Sequence, residues 1–64
     1  MGKVRTEKVK RIAHELIRRH PTKFTINFDE NKKIVISLAN IPSSKLRNRI
    51  VGYITRLMTL SQQS

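Results

Sequence analysis

Lys45, Arg49, Gly52 and Arg56 stand four, three and four residues apart, the spacing that aligns side chains along one ridge of a helix. Cations on such a ridge can neutralise a row of phosphates, and the glycine among them leaves the backbone bare at the middle of the row. Glycine costs about 1 kcal/mol in a helix interior relative to alanine, so something should gain from a close approach at position 52. Two partners fit: a phosphodiester strand lying against the ridge, or a neighbouring helix crossing closely. Catalytic chemistry fits less well. No cysteine is present, which removes thiolate zinc sites, cysteine nucleophiles and disulfides together. His14 and His20 are six residues apart, a spacing that does not place two imidazoles on one helical face, and no acid pair or nucleophile with a base completes a site. Gly2 and Gly52 are the only glycines, too few for a phosphate-cradling loop. The chain is therefore expected not to be an enzyme and to need no metal or other cofactor.

Charge narrows the partner. Fourteen Lys and Arg against four Asp and Glu give a formal charge of +10, the electrostatic footprint of a polyanion binder. Residues 1–20 carry seven bases and two acids, residues 21–42 three and two, and residues 43–64 four and none. The excess thus lies on the two terminal thirds. A membrane surface would also attract such a chain, but that reading needs exposed large apolar residues opposite the basic face. Tryptophan is absent, and the apolar stripes are expected to be used up in a core. The longest aliphatic run, Ile34-Val35-Ile36, is far too short for a span or a signal core, so a soluble, intracellular protein with no membrane partner is expected. Met1-Gly2-Lys3-Val4-Arg5-Thr6 fits a loose myristoylation pattern, but Thr6 is better used as a helix cap.

The positioning elements follow from length and periodicity. Sixty-four residues make one domain, spanning 1–64, and so short a chain buries only about 60% of the surface its unfolded form exposes. Stability should be marginal unless a partner adds binding energy. Val9, Ile12, Ala13, Leu16 and Ile17 recur at helical spacing, with Thr6 as N-cap, Glu7 in the first turn, Arg18 and Arg19 in the last, and Pro21 beyond. Lys8, Lys10, Arg11, Arg18 and Arg19 lie opposite that stripe, with His14 on the polar side. In the last third Pro42 and Ser43 mark a helix start, and Leu46, Ile50, Tyr53, Ile54, Leu57 and Leu60 share a face flanked by Val51 and Met58. The middle third supports two readings. Phe24, Ile26 and Phe28 alternate, Asp29 to Lys32 could turn, and Ile34, Ile36 and Leu38 alternate again, which gives an α-β-β-α chain with a central hairpin. Alternatively a helix capped at Asn27 or Asp29 buries Ile34, Val35, Leu38 and Ile41, with Ile36 left near the polar side.

Two stretches carry more than periodicity. Gly2-Lys3-Val4-Arg5-Thr6 with Val9-Lys10, and the run from Ile41 to Arg56 (IPSSKLRNRIVGYITR), closely resemble the seventeenth eukaryote-type protein family of the small ribosomal subunit. The likeness extends through Phe24-Thr25, Phe28 and Asn31-Lys32-Lys33, and the length resembles the short archaeal form, without the long C-terminal region of eukaryotic members. Ser44 departs from a common lysine, Arg56 from a frequent histidine, and Ile36-Ser37 from a frequently acidic pair. The resemblance implies an all-α three-helix bundle with a helical middle segment, bound to ribosomal RNA in the head of the small subunit and without enzymatic activity. It also implies a cytoplasmic, ribosomal location. The family motif falls on Lys45, Leu46, Arg47, Asn48, Arg49, Ile50, Gly52, Tyr53 and Thr55.

Residues and resemblance agree on function, because two amphipathic helices with basic outer faces make a phosphate-contacting surface, and the resemblance implies small-subunit ribosomal RNA as the partner. Lys3, Arg5, Lys10 and Arg11 from the first third, and Lys45, Arg47, Asn48, Arg49, Gly52 and Arg56 from the last, are the candidate contacts. Asn48 would offer its amide to phosphate, 2′-hydroxyl or base edge. Phe24, Phe28 and Tyr53 are assigned to the core rather than to base stacking. The resemblance also allows neighbouring ribosomal proteins as partners, and the free protein is expected to be a monomer. The rival from another class is a small dimeric helix-turn-helix-like DNA-binding regulator whose last helix enters the major groove with Arg47, Asn48 and Thr55. A pure protein-interaction module would leave the basic excess unexplained.

Overall fold

Two prolines and two polar caps divide the chain into three helices. The computed structural model describes residues 6–63 and contains α1 (Thr6–Arg19), α2 (Phe28–Leu38) and α3 (Ser44–Gln63). The capping role expected of the Thr6 side chain lies outside what is described, as do Lys3 and Arg5. α1 ends where Pro21 cannot continue it: the His20 amide still donates to the Leu16 carbonyl at 2.9 Å, and the Lys23 amide closes a turn onto His20 at 3.2 Å. α3 starts at the cap expected after Pro42, with Ser43 Oγ accepting from the Leu46 amide at 3.2 Å.

The middle segment is helical, so the hairpin alternative is corrected. Asn27 is the N-cap, in extended backbone (φ −98°, ψ 120°), and its side chain accepts from the Glu30 amide at 3.1 Å. Glu30 would close a capping box by reaching back to the Asn27 amide. Here the connection is relayed: Thr25 Oγ1 accepts from the Asn27 amide at 3.0 Å and donates to Glu30 Oε1 at 3.3 Å. Asp29 and Glu30 also place negative charge in the first turn, where the helix dipole favours it. These local bonds outweigh the alternation of Phe24, Ile26 and Phe28, of which Phe24 alone is buried. Ile36 faces solvent, as the helical reading requires.

α3 is the central element. It packs against both α1 and α2, while α1 and α2 do not approach each other closely among the described residues. Its 20 residues make a rod about 30 Å long, which sets the 36 Å long axis of the molecule. Val9, Ala13 and Leu16 of α1, Phe24 of the first loop, Val35 of α2, and Ile50, Val51 and Ile54 of α3 form one buried cluster. Ile34, Leu38 and Ile41 border it half-buried, and Leu60, expected on the apolar face of α3, is exposed because the core ends before it.

One polar group sits inside this core. Asn31 is fully buried, not in a turn, and uses its amide completely. Its oxygen accepts from the Thr25 amide at 2.8 Å, and its nitrogen donates to the Thr25 carbonyl at 2.7 Å and to Thr55 Oγ1 at 2.8 Å. Thr55 in turn donates to the Val51 carbonyl at 2.9 Å. A 64-residue domain has a total stability of roughly 3–10 kcal/mol, and each buried polar group left unpaired costs about 1–3 kcal/mol. Asn31→Ala is therefore expected to lose about 2–4 kcal/mol, read as a fall in the urea midpoint. Asn31→Asp should do no better despite its matching shape, because a carboxylate has no donor for the Thr25 carbonyl or for Thr55. Unchanged midpoints in both variants would contradict the assignment.

Candidate nucleic-acid interface

The core-facing side of α3 is defined by Ile50, Val51 and Ile54, so the opposite side must face solvent. Lys45, Arg49 and Arg56 lie there and are exposed, with half-buried Gly52 between them. Residues 43–64 contain no acid, so nothing on this helix neutralises the ridge. Asn48 is exposed on the flank nearer α2. Arg47 is placed differently: it falls in line with the core residues, is half-buried, and its Nε is buried without a hydrogen-bond partner. The structure thus brings Lys45, Asn48, Arg49, Gly52 and Arg56 together and sets Arg47 apart from them.

Both neighbouring helices border the ridge. On the α1 side, His14 and Tyr53 meet edge to face, with ring centroids 5.7 Å apart and a contact of 3.4 Å between Tyr53 Oη and His14 Nε2. Tyr53 lies four residues after Arg49 and three before Arg56, so this ring pair flanks the ridge. Lys10, one turn before His14, shares that flank of α1 and is exposed. Arg11 lies about 100° further round α1. It is exposed with Lys8, Arg18 and Arg19 on the outward face, where the Arg19–Glu15 ion pair of 2.9 Å takes up one of the bases.

On the α2 side stands a residue that sequence reasoning assigned to the core. Phe28 is 41% exposed. It begins α2 on the edge of the apolar stripe, at a point the core does not reach, and the Cε2 edge of its ring comes close to Gly52 of α3. A β-carbon built on Gly52 would be 3.9 Å from Phe28 Cε2, an ordinary van der Waals contact. A neighbouring helix does therefore approach Gly52, but through a side chain and with room for a methyl group. Lys32, four residues after Phe28 on the same flank, is half-buried beside this seam. The signal for Phe28 was its place directly after a strong N-cap, where a stripe residue has no preceding turn to cover it.

Among the described residues no group of three or more His, Asp or Glu side chains could hold a metal, and no helix is long and apolar enough to cross a membrane. A family model described as ribosomal S17 matches residues 1–64. The chain is 50% identical over 62 residues to small ribosomal subunit protein eS17 of Methanobrevibacter smithii, which covers 97% of this chain and 95% of that protein. It is 55% identical over 58 residues to the protein of the same name from Staphylothermus marinus, covering 91% of this chain and 85% of that one. The Pyrobaculum aerophilum protein of that name is 52% identical over 58 residues, covering 91% and 82%.

The geometry at Gly52 generates a test. Gly52→Ala removes a helix penalty of about 1 kcal/mol, and its methyl meets the Phe28 ring at ordinary contact distance. The variant is expected to be more stable by roughly 0.5–1 kcal/mol in urea unfolding. A loss of stability would mean that the ring and α3 are wedged more tightly than this spacing allows.

Proposed function

As the chain belongs to the ribosomal S17 family, we propose that it is a structural constituent of the small ribosomal subunit and holds folded ribosomal RNA through the basic outer faces of α1 and α3. Its place is the cytoplasmic ribosome, and it is a structural component rather than an enzyme. The observation that carries the RNA contact is the acid-free ridge of Lys45, Arg49 and Arg56, exposed along a helix whose other side is fixed in the core. Lys10 and Arg11 extend the positive surface onto α1, Asn48 adds an amide at the α2 flank, and Lys3 and Arg5 precede α1 in the chain. Gly52 lets the RNA come close to the helix backbone.

The whole chain of 1–64 acts as a single RNA-binding domain, monomeric when free, with neighbouring ribosomal proteins as further contacts in the assembled particle. Recognition rests on phosphate and ribose positions and on folded RNA shape. A dimeric DNA-binding regulator is not supported. The family is ribosomal, and the helix that would enter a groove turns Ile50, Val51 and Ile54 inward and ties Thr55 to Asn31.

Binding to small-subunit ribosomal RNA is expected to weaken steeply with salt, because every neutralised phosphate releases counterions. It should also exceed binding to duplex DNA of equal length at each salt concentration, since 2′-hydroxyls and RNA shape add contacts. Replacing Arg49 and Arg56 together by Gln should flatten the slope of log affinity against log salt by about two contacts, at unchanged thermal stability. Equal affinity for ribosomal RNA and random duplex DNA at every salt concentration would leave only nonspecific charge and contradict the reading.

A further inference from the structure

We propose that the exposed ring of Phe28 is a stacking platform for one unpaired base of the bound RNA, with Arg49, Arg56 and Lys32 holding the phosphates on either side. The inference rests on the ribosomal RNA reading and adds a contact of a different kind to it. Of the four large apolar side chains left exposed among the described residues, Ile26, Ile36 and Leu60 are aliphatic, and Phe28, 41% exposed on a domain of charge +10, is the one that offers a π-face beside the cationic ridge. Its position is set from both sides. The Asn27 cap fixes its backbone, and its Cε2 edge lies beside the bare backbone of Gly52 in the middle of the cationic ridge.

A nucleotide matches this combination because it presents a flat π-face and an anionic backbone within a few ångströms of each other. An aromatic ring flanked by Arg and Lys is the recurrent way to hold an unstacked base with little regard to its identity. Gly52 has a part in this. Its missing side chain lets the Phe28 ring edge sit close to the α3 backbone, in the middle of the ridge. Of the two acids nearest in sequence, Glu30 is engaged by Thr25, and Asp29 lies about 100° round α2 from the ring. The surface is therefore suited to an anionic partner that also presents a flat π-face, and a nucleotide carries both.

The test uses the full chain and purified small-subunit ribosomal RNA. Phe28→Leu keeps apolar volume and removes the π-face, and it is expected to weaken RNA binding about five- to a hundredfold without changing the salt slope or the melting temperature. The chain has no tryptophan, so Phe28→Trp introduces a single indole at the platform. That variant should bind as tightly as the parent, and its emission should be quenched when RNA is added. Parent-like RNA affinity of Phe28→Leu would overturn the proposal. So would indole emission that changes only when neighbouring ribosomal proteins are added, which would assign the ring to a protein contact. In either case a parent protein that still prefers ribosomal RNA to duplex DNA leaves the ribosomal reading standing, whereas loss of that preference in the parent would overturn both.

Discussion

The fold depends on one buried amide. Asn31 is the polar residue at the centre of an apolar cluster, and its three hydrogen bonds join the loop before α2, α2 itself and α3. The exchange with both the amide and the carbonyl of Thr25 reproduces, with a side chain, the two-bond pairing of adjacent β-strands. It satisfies the backbone of a half-buried loop residue that lies outside all three helices. Because a buried amide is costly unless every donor and acceptor is used, this contact also selects against other arrangements of the same segment. Sliding α2 by one residue would strand all three bonds at once.

That constraint positions the cationic surface. The loop held by Asn31 ends in the Asn27 cap, and directly after the cap the ring edge of Phe28 lies beside Gly52. The bond to Thr55 fixes the rotation of α3 against α2, and thereby which side of α3 faces water. Ile50, Val51 and Ile54 on one side and Lys45, Arg49 and Arg56 on the other are two consequences of a single rotational setting. α1 then closes the remaining flank with Val9, Ala13 and Leu16, and the His14–Tyr53 ring pair marks its edge beside the ridge. Such a small core leaves little stability to spare, and a cationic surface without nearby acids adds self-repulsion that a polyanionic partner relieves.

Much of this was legible in residue types. Pro21, Pro42 and Ser43 gave the helix boundaries around the loops, and the stripe of α1 needed only 3.6-residue spacing. The ridge of α3 followed from three numbers in the sequence. The middle third resisted because its alternating residues are not one buried face: Phe24 is in the core, whereas Ile26 and Phe28 are exposed around a cap. What decides for helix is a set of side-chain bonds among Thr25, Asn27 and Glu30, together with the Asn31–Thr55 bond across 24 residues. Periodicity registers neither. Phe28 was misplaced for a related reason, since a wheel shows which side a residue occupies and not where along the axis the core stops. Arg47 illustrates the converse: its family motif position says nothing of its half-buried place on the core side of α3.

The most direct test is hydrogen exchange at the Thr25 amide, measured by NMR with increasing denaturant. A loop amide ordinarily exchanges through local fluctuation and gains no dependence on denaturant, whereas an amide locked into the core is released only by global unfolding. If Asn31 holds the structure together, the Thr25 amide should exchange as slowly as those of Ile50, Val51 and Ile54 and show the same denaturant dependence. Exchange about a thousandfold faster than those core amides, at a rate indifferent to denaturant, would show that the loop opens on its own and would contradict the account.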